Sequence, residues 1–124
     1  MKNQKFSFSR RLKSFSYALN GLKILLKEEH NTRIHLVAAM VVVIVGFVLE
    51  VSTTEWIALV FAIAFVITTE ILNSSIENIA DFISPEKHEA IKKVKDLAAA
   101  GVLISAITAL IVGMIIFLPK ILKF

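Results

Sequence analysis

Residues 97–118 run for 22 positions without a charged side chain, and a helix of that length rises about 33 Å at about 1.5 Å per residue. That is enough to cross a hydrocarbon core of about 30 Å, so this one stretch commits the chain to lipid. Composition agrees: 56% of the 124 residues are hydrophobic and the mean hydropathy is +0.76, too apolar for a water-soluble domain of this length. The absence of cysteine excludes disulfides, thiolate metal sites and a cysteine nucleophile. The expectation is an all-α integral membrane protein forming a single domain over residues 1–124.

Two further apolar runs are shorter. Residues 36–49 hold 14 uncharged positions and reach spanning length only with their flanks, which predicts a span over about 34–50. Residues 57–69 hold 13, so that helix must continue through TTEILNSSIENIAD, giving a span over about 56–81 before the third over about 97–118. It thereby carries Glu70, Glu77 and Asp81 to membrane depth or to the membrane edge.

Orientation follows from the bases. Lys2, Lys5, Arg10, Arg11, Lys13, Lys23, Lys27 and Arg33 precede the first span, and Lys87, Lys92, Lys93 and Lys95 lie in residues 82–95, whereas residues 50–55 have none. The positive-inside rule then puts the N-terminus and the second connection in the cytoplasm and the C-terminus outside, with mild opposition from Lys120 and Lys123. A multi-pass protein of the cell inner (cytoplasmic) membrane is expected. Trp56 fits an interfacial anchor. The basic N-terminal segment has no short apolar core followed by a small-residue cleavage site, so it is expected to be retained.

That segment has a pattern of its own. Phe8, Leu12, Phe15, Leu19, Leu22 and Leu26 fall within about 40° of one line on a helix, with Arg10, Arg11, Lys13 and Lys27 pointing elsewhere. It predicts an amphipathic helix over about 7–28, lying on the cytoplasmic leaflet or packing its stripe on the bundle. In the third span Gly101, Ser105, Ala109 and Gly113 recur every fourth residue, a face small enough for another backbone to approach. Pro119 is expected to end that helix.

The polar residues after position 69 share one face. On a helix starting at Glu70, Glu77 falls at about −20°, Asp81 at about +20°, Ser74 at about +40° and Asn73 at about −60°. Each charge in a membrane helix costs about 2.5–3.5 kcal/mol, so such a stripe must be paired, protonated, metal-bound or facing water. Glu28 and Glu29 close the surface helix just before HNTRIH, and Lys95 and Asp96 stand at the start of the third span, at the same level. Paired carboxylates beside a lysine suit phosphate chemistry: Mg²⁺ binds through one or two carboxylates, a lysine neutralises phosphate, and another carboxylate can accept a proton from an attacking hydroxyl. Neither the GxxxxGK[ST] loop nor a kinase glycine loop occurs. On these residues alone phosphoryl transfer competes evenly with proton-coupled transport, in which Glu70 would be the titrating group. A structural membrane subunit using the small-residue face would leave the carboxylates unexplained.

The run EILNSSIENIAD, followed after a short loop by EKHEAIKKVKDLAAAGVLI, resembles the signature of the small bacterial diacylglycerol kinase family, which also includes undecaprenol kinases. The likeness extends from SRRLKSFSYALNGLK to IIFLPK, and its core reads E-x-x-N-[ST]-x-[IV]-E, then D, then KD. The resemblance implies a homotrimer of three-span subunits with shared active sites, phosphorylating a membrane lipid alcohol with ATP and Mg²⁺ at the cytoplasmic face. Diacylglycerol going to phosphatidate is the expected reaction and undecaprenol the alternative acceptor; no nucleic-acid partner is implied.

The residue roles carry over position by position. Glu70 would be the general base, Asn73 would orient the reacting groups, and Lys95 would contact phosphate with Asp96 beside the nucleotide. Glu29 and Glu77 would hold the metal that bridges the ATP phosphates. Arg10 and Tyr17 match nucleotide-contacting positions of the surface helix, and Glu86, Lys87 and His88 belong to the loop that meets the adenosine. Asp81 would support the site, and Glu28 matches no motif position. His35 departs from the diacylglycerol-specific branch, where an acidic residue stands; NTRIH looks more like the undecaprenol kinase branch, which marks His35 as a residue of lipid discrimination.

Overall fold

The computed structural model describes residues 7–123, and its helix boundaries follow from a few polar residues. Lys2 and Lys5, counted above in the charge asymmetry, lie outside the described residues. Helix α1 (Phe8–Glu28) gives way at Glu29, whose extended backbone (φ −104°, ψ 105°) donates its N–H back to the Leu25 carbonyl at 2.9 Å and opens α2 (His30–Val48). One non-helical residue therefore separates the two helices and holds Glu29 at the corner.

Helix α2 ends in a Schellman turn. The Glu50 N–H donates to the Phe47 carbonyl at 3.3 Å and the Val51 N–H to that of Gly46 at 3.1 Å, with Glu50 left-handed at φ 53°. A side chain at that position costs about 1–2 kcal/mol, and the burial of Val51 helps to offset it. Ser52 then starts α3 (Thr53–Ile83) with a capping box: its hydroxyl accepts from the Glu55 N–H at 3.2 Å, and Glu55 Oε1 accepts from the Ser52 N–H at 2.8 Å. Helix α4 (Glu89–Leu122) begins at His88, whose Nδ1 accepts from the Ala90 N–H at 3.1 Å.

The described residues contain four helices and no strand, and α2, α3 and α4 are each long and apolar enough to cross a membrane. This is the all-α arrangement of three spans and an N-terminal helix that the sequence implies. Pro119 does not end the last helix, contrary to expectation. It lies inside α4, where its ring removes one backbone donor but leaves its carbonyl, and that carbonyl accepts from the N–H of Lys123, the left-handed cap at φ 57°.

Helices α3 and α4 form the principal pair, with α2 laid on α3 and α1 on α2. At the end holding the α2–α3 turn, Val51, Leu59 and Ile116 form a buried nucleus supported by Val42, Trp56 and Phe117. Trp56, expected as an interfacial anchor, is half-buried here: its ring meets Phe47 at 4.8 Å between centroids and fills the space left by Gly46. Lys120 pairs with Glu55 at 3.1 Å and ties the two long helices together at this end. Halfway along, the Thr69 and Ser105 hydroxyls meet at 2.7 Å, with Ser105 fully buried. Of the small-residue face on α4, only Ser105 is buried in the single chain; a side chain on Gly101 or Gly113 would meet nothing within 4 Å.

The apolar stripe of α1 is turned outward. Phe8, Leu12, Phe15, Leu19, Leu22 and Leu26 are all exposed, and the buried residue of this helix is Leu25, off the stripe. Within one chain the stripe thus does not pack on the bundle. Helix α3 itself is 31 residues long, about 46 Å. Measured from Trp56, Glu70 lies about 21 Å along it and Glu77 about 32 Å. With Trp56 taken as the start of a core of about 30 Å, Glu70 would fall inside the apolar slab and Glu77 at its edge.

Candidate active site

Glu70 is 5% exposed, and two side chains of α2 enclose its carboxylate. His35 Nδ1 lies 2.7 Å from Oε1, and the Thr32 hydroxyl donates to Oε2 at 3.5 Å. The i, i+3 spacing places Thr32 and His35 on one face of α2. Thr32 is 1% exposed; the His35 contact is close in distance without hydrogen-bond alignment. A carboxylate that the length of the span forces below the surface is therefore walled by polar groups rather than left to lipid.

One turn further along α3, the Ser74 hydroxyl donates to Glu29 Oε1 at 2.9 Å. This bond fastens the α1–α2 corner to the polar face of α3. Glu77 is half-buried one turn beyond Ser74, on the same side. Asn73 is half-buried, and its side-chain oxygen is enclosed with no hydrogen-bond partner among the described residues. Since buried polar atoms are nearly always satisfied, an unpaired amide oxygen on this face suits a group that receives a ligand.

Beyond Glu77 the charges pair among themselves. Lys95 of α4 binds Asp81 of α3, with Glu77 also acting electrostatically on the lysine, and Lys92 holds Asp96 at 2.6 Å. Lys95 and Asp96, expected beside phosphate, are in this way already held in place at the edge of the cluster. In the exposed loop before α4, the carbonyl of Glu86 accepts from Ser84 at 2.9 Å and His88 serves as the helix cap, while Lys87 is exposed. Arg10 and Tyr17 are exposed on α1 and are not brought to the α3 cluster within one chain. Along a straight α1, Arg10 stands about 28 Å from Glu29.

A cleft of about 570 Å³ runs between α2, α3 and α4 away from this cluster. His35 stands at its polar end, and every other lining side chain, from Ala38 and Ile67 to Phe117, is apolar or a glycine. Thr32 and Thr69 are the contributors that sequence reasoning left without a role; the sequence places Ser74 on the polar face and Ser105 on the packing face, each without its partner. The spacing of Thr32 to His35 was the signal available for the first.

The donor set can be tested against a magnesium ion. Among the described residues no three His, Asp or Glu side chains converge as an all-protein cage. Mg²⁺ does not need one, because it takes one or two carboxylates and completes its shell with phosphate oxygens and water. Glu29 and Glu77 fit that requirement, the first being fastened by Ser74 to the face that carries the second.

Comparison with known proteins identifies the family. Residues 16–117 match the model of the prokaryotic diacylglycerol kinase family. The chain is 36% identical over 119 residues to an undecaprenol kinase of Bacillus subtilis, covering 96% of this chain and 97% of that one. It is 34% identical over 111 residues to a diacylglycerol kinase of Escherichia coli K12, covering 90% of this chain and 91% of the relative. A diacylglycerol kinase of Helicobacter pylori is 34% identical over 100 residues, covering 81% and 78%. A match over most of the length, with relatives aligned nearly end to end, means that the chain belongs to the prokaryotic diacylglycerol kinase family and is a lipid kinase.

Proposed function

We propose that the protein transfers the γ-phosphoryl group of ATP to the hydroxyl of a membrane lipid alcohol at the cytoplasmic face of the inner membrane, with undecaprenol as the preferred acceptor. The observation that carries this reading is the burial of Glu70 against His35, the polar end of an apolar cleft. A lipid alcohol occupying that cleft places its hydroxyl beside the carboxylate. Glu70 takes the hydroxyl proton, the oxygen attacks the γ-phosphorus in line, and the bond to the β–γ bridging oxygen breaks to release ADP. No phosphoenzyme is formed. Asn73, with its free amide oxygen, orients the reacting groups, and Lys95 and Asp96 border the nucleotide.

Glu29 and Glu77 would hold Mg²⁺, whose chemistry when bound is to neutralise the triphosphate. Ser74 keeps Glu29 in reach of the face that carries Glu77. The working unit is a homotrimer with shared sites. Its support is the gap of about 28 Å between Arg10 and Glu29 on one α1, too great for both to serve the same phosphates within a subunit.

The choice of acceptor rests on the cleft. Diacylglycerol brings two ester groups that need polar partners, and the cleft offers only His35. A polyprenol is hydrocarbon up to its terminal hydroxyl and needs no more. The departure at His35 and the near end-to-end likeness to the Bacillus subtilis undecaprenol kinase lean the same way. Transfer of labelled γ-phosphate from ATP, measured with undecaprenol and diacylglycerol side by side in mixed micelles with Mg²⁺, tests both levels. Preferential phosphorylation of undecaprenol is expected; preference for diacylglycerol refutes the acceptor assignment, and transfer to neither refutes the reaction.

A further inference from the structure

We infer that His35 is a positioning residue for the reaction, acting through Glu70 to fix the direction in which its carboxylate faces the acceptor hydroxyl. The inference rests on the reading of Glu70 as the base and adds what holds that base in place. A glutamate side chain has three rotatable bonds, and no hydrogen bond from α3 holds Glu70: Thr69, its neighbour in sequence, bonds the Val66 carbonyl and faces Ser105, and Ser74 on its own face bonds Glu29. Restraint comes from α2, where His35 approaches Oε1 at 2.7 Å and Thr32 approaches Oε2 at 3.5 Å. The closer contact confines Oε1 by proximity, without hydrogen-bond alignment, while Oε2 accepts from Thr32 at the outer limit of hydrogen-bond distance; a carboxylate oxygen has two lone pairs, so one stays available for the hydroxyl proton.

The surroundings leave His35 as the group able to do this. On α3 the next carboxylate, Glu77, is two turns away at about 10 Å along the axis. On α2 and its corner, Glu29 is held by Ser74. On α4 no charge occurs from residue 97 to 118, and the charged pair preceding it, Lys95 and Asp96, is committed to Asp81 and Lys92. His35 is also 30% exposed and lines the apolar cleft, so the residue that holds the base also meets the entering lipid. During transfer, the proton passes from the lipid hydroxyl to Glu70 as the new O–P bond forms and the bond to ADP breaks; His35 exchanges nothing and keeps Glu70 aimed.

The test uses the full-length enzyme in mixed micelles with ATP, Mg²⁺ and each lipid alcohol in turn. His35→Leu removes the contact, whereas His35→Asn keeps a donor near the position of Nδ1. Misplacing a reacting group by about 1 Å costs about 100-fold in rate. The expected result is a fall of about that size in kcat for His35→Leu with both acceptors, with the KM for ATP unchanged and substantial recovery in His35→Asn. In a Glu70→Asp background, whose shortened carboxylate no longer reaches His35, the same His35→Leu change should lower kcat by less than about twofold, because coupled residues are not additive. The imidazole ¹⁵N signals of wild-type His35 should also move on Glu70→Gln, a readout that needs no His35 variant to fold.

Additive losses in the double variant, or a kcat for His35→Leu within about twofold of wild type, overturn the proposal. So does a loss confined to one lipid or to its KM, which would make His35 a discriminator alone, and so do unmoved ¹⁵N signals. Glu70→Gln separates this from the reading beneath it: full activity there removes the base, whereas an inactive Glu70→Gln beside an unaffected His35→Leu removes only the positioning role.

Discussion

Ser74→Ala probes the metal site without touching a proposed ligand. The Ser74 hydroxyl donates to Glu29 Oε1 at 2.9 Å, across the gap between the α1–α2 corner and α3. A hydrogen bond to an ionised group is worth about 1.5–3 kcal/mol, and about 1.4 kcal/mol is a factor of ten in an equilibrium constant. If Glu29 binds the ion, losing the bond frees its side chain and weakens Mg²⁺ binding by about 10- to 100-fold, the usual size for a group supporting a ligand. The assay is a Mg²⁺ titration of phosphoryl transfer at saturating ATP and lipid, paired with Mn²⁺ binding followed by electron paramagnetic resonance. Ser75→Ala is the matched control. That hydroxyl lies on the exposed side of the same helix and donates to the Ile71 carbonyl at 2.9 Å, so its removal should leave the titration unchanged. A Ser74→Ala curve that superimposes on wild type, or an equal displacement by Ser75→Ala, would refute the placement of Glu29 in the metal site.

Three further outcomes follow from the packing. Gly46→Ala puts a methyl group 2.6 Å from Trp56 Cη2; displacing the ring should destabilise the protein by about 1–3 kcal/mol, measured as a lower midpoint of thermal unfolding in detergent. Thr69→Val and Ser105→Ala should each destabilise modestly, and their double-mutant cycle should give a coupling of about 0.6 kcal/mol, the average for side-chain hydrogen bonds between membrane helices; zero coupling would mean that the 2.7 Å contact is not a bond. Lys120→Met removes a partly exposed ion pair, so it should cost less than about 1 kcal/mol and leave kcat and both KM values unchanged.

The helices were legible because lipid demands them: uncharged runs, the stripe on α1 and the polar face after residue 69 are one-dimensional patterns that survive folding. Glu70, Glu77 and Asp81 share a face in the sequence and do so in the structure. Who pairs with whom was not legible. Thr32 and His35 are near neighbours in NTRIH, but their meeting with Glu70 depends on how α2 is rotated against α3, and no local pattern encodes that rotation. The same holds for Ser74 with Glu29, set by the single extended residue between α1 and α2. Pro119 misled for a different reason. The helix-breaking rule counts its missing donor, yet near the end of a long helix its carbonyl still closes the final turn through Lys123.

The axial separation along α3 accounts for why a phosphate-handling site can work with its base inside the membrane. With the slab beginning at Trp56, Glu77 would stand at its edge and Glu70 about 10 Å deeper, a distance that divides the proposed site by solvent. In the proposed reaction ATP with its charges would stay in water and meet Glu29, Glu77 and Lys95 at the edge, where desolvating a triphosphate is not required. The lipid alcohol would stay in hydrocarbon along the cleft that ends at His35, where its chain is already at home. Only the hydroxyl and the γ-phosphoryl group would need to meet, between the two depths, on the level of Ser74 and the open amide oxygen of Asn73. In the proposed reaction the enzyme therefore moves neither substrate out of its own solvent. The cost of a buried carboxylate, about 2.5–3.5 kcal/mol at the centre of a lipid-exposed helix, is what places a proton acceptor where the acceptor alcohol already lies, and the α2 residues that wall Glu70 reduce that cost.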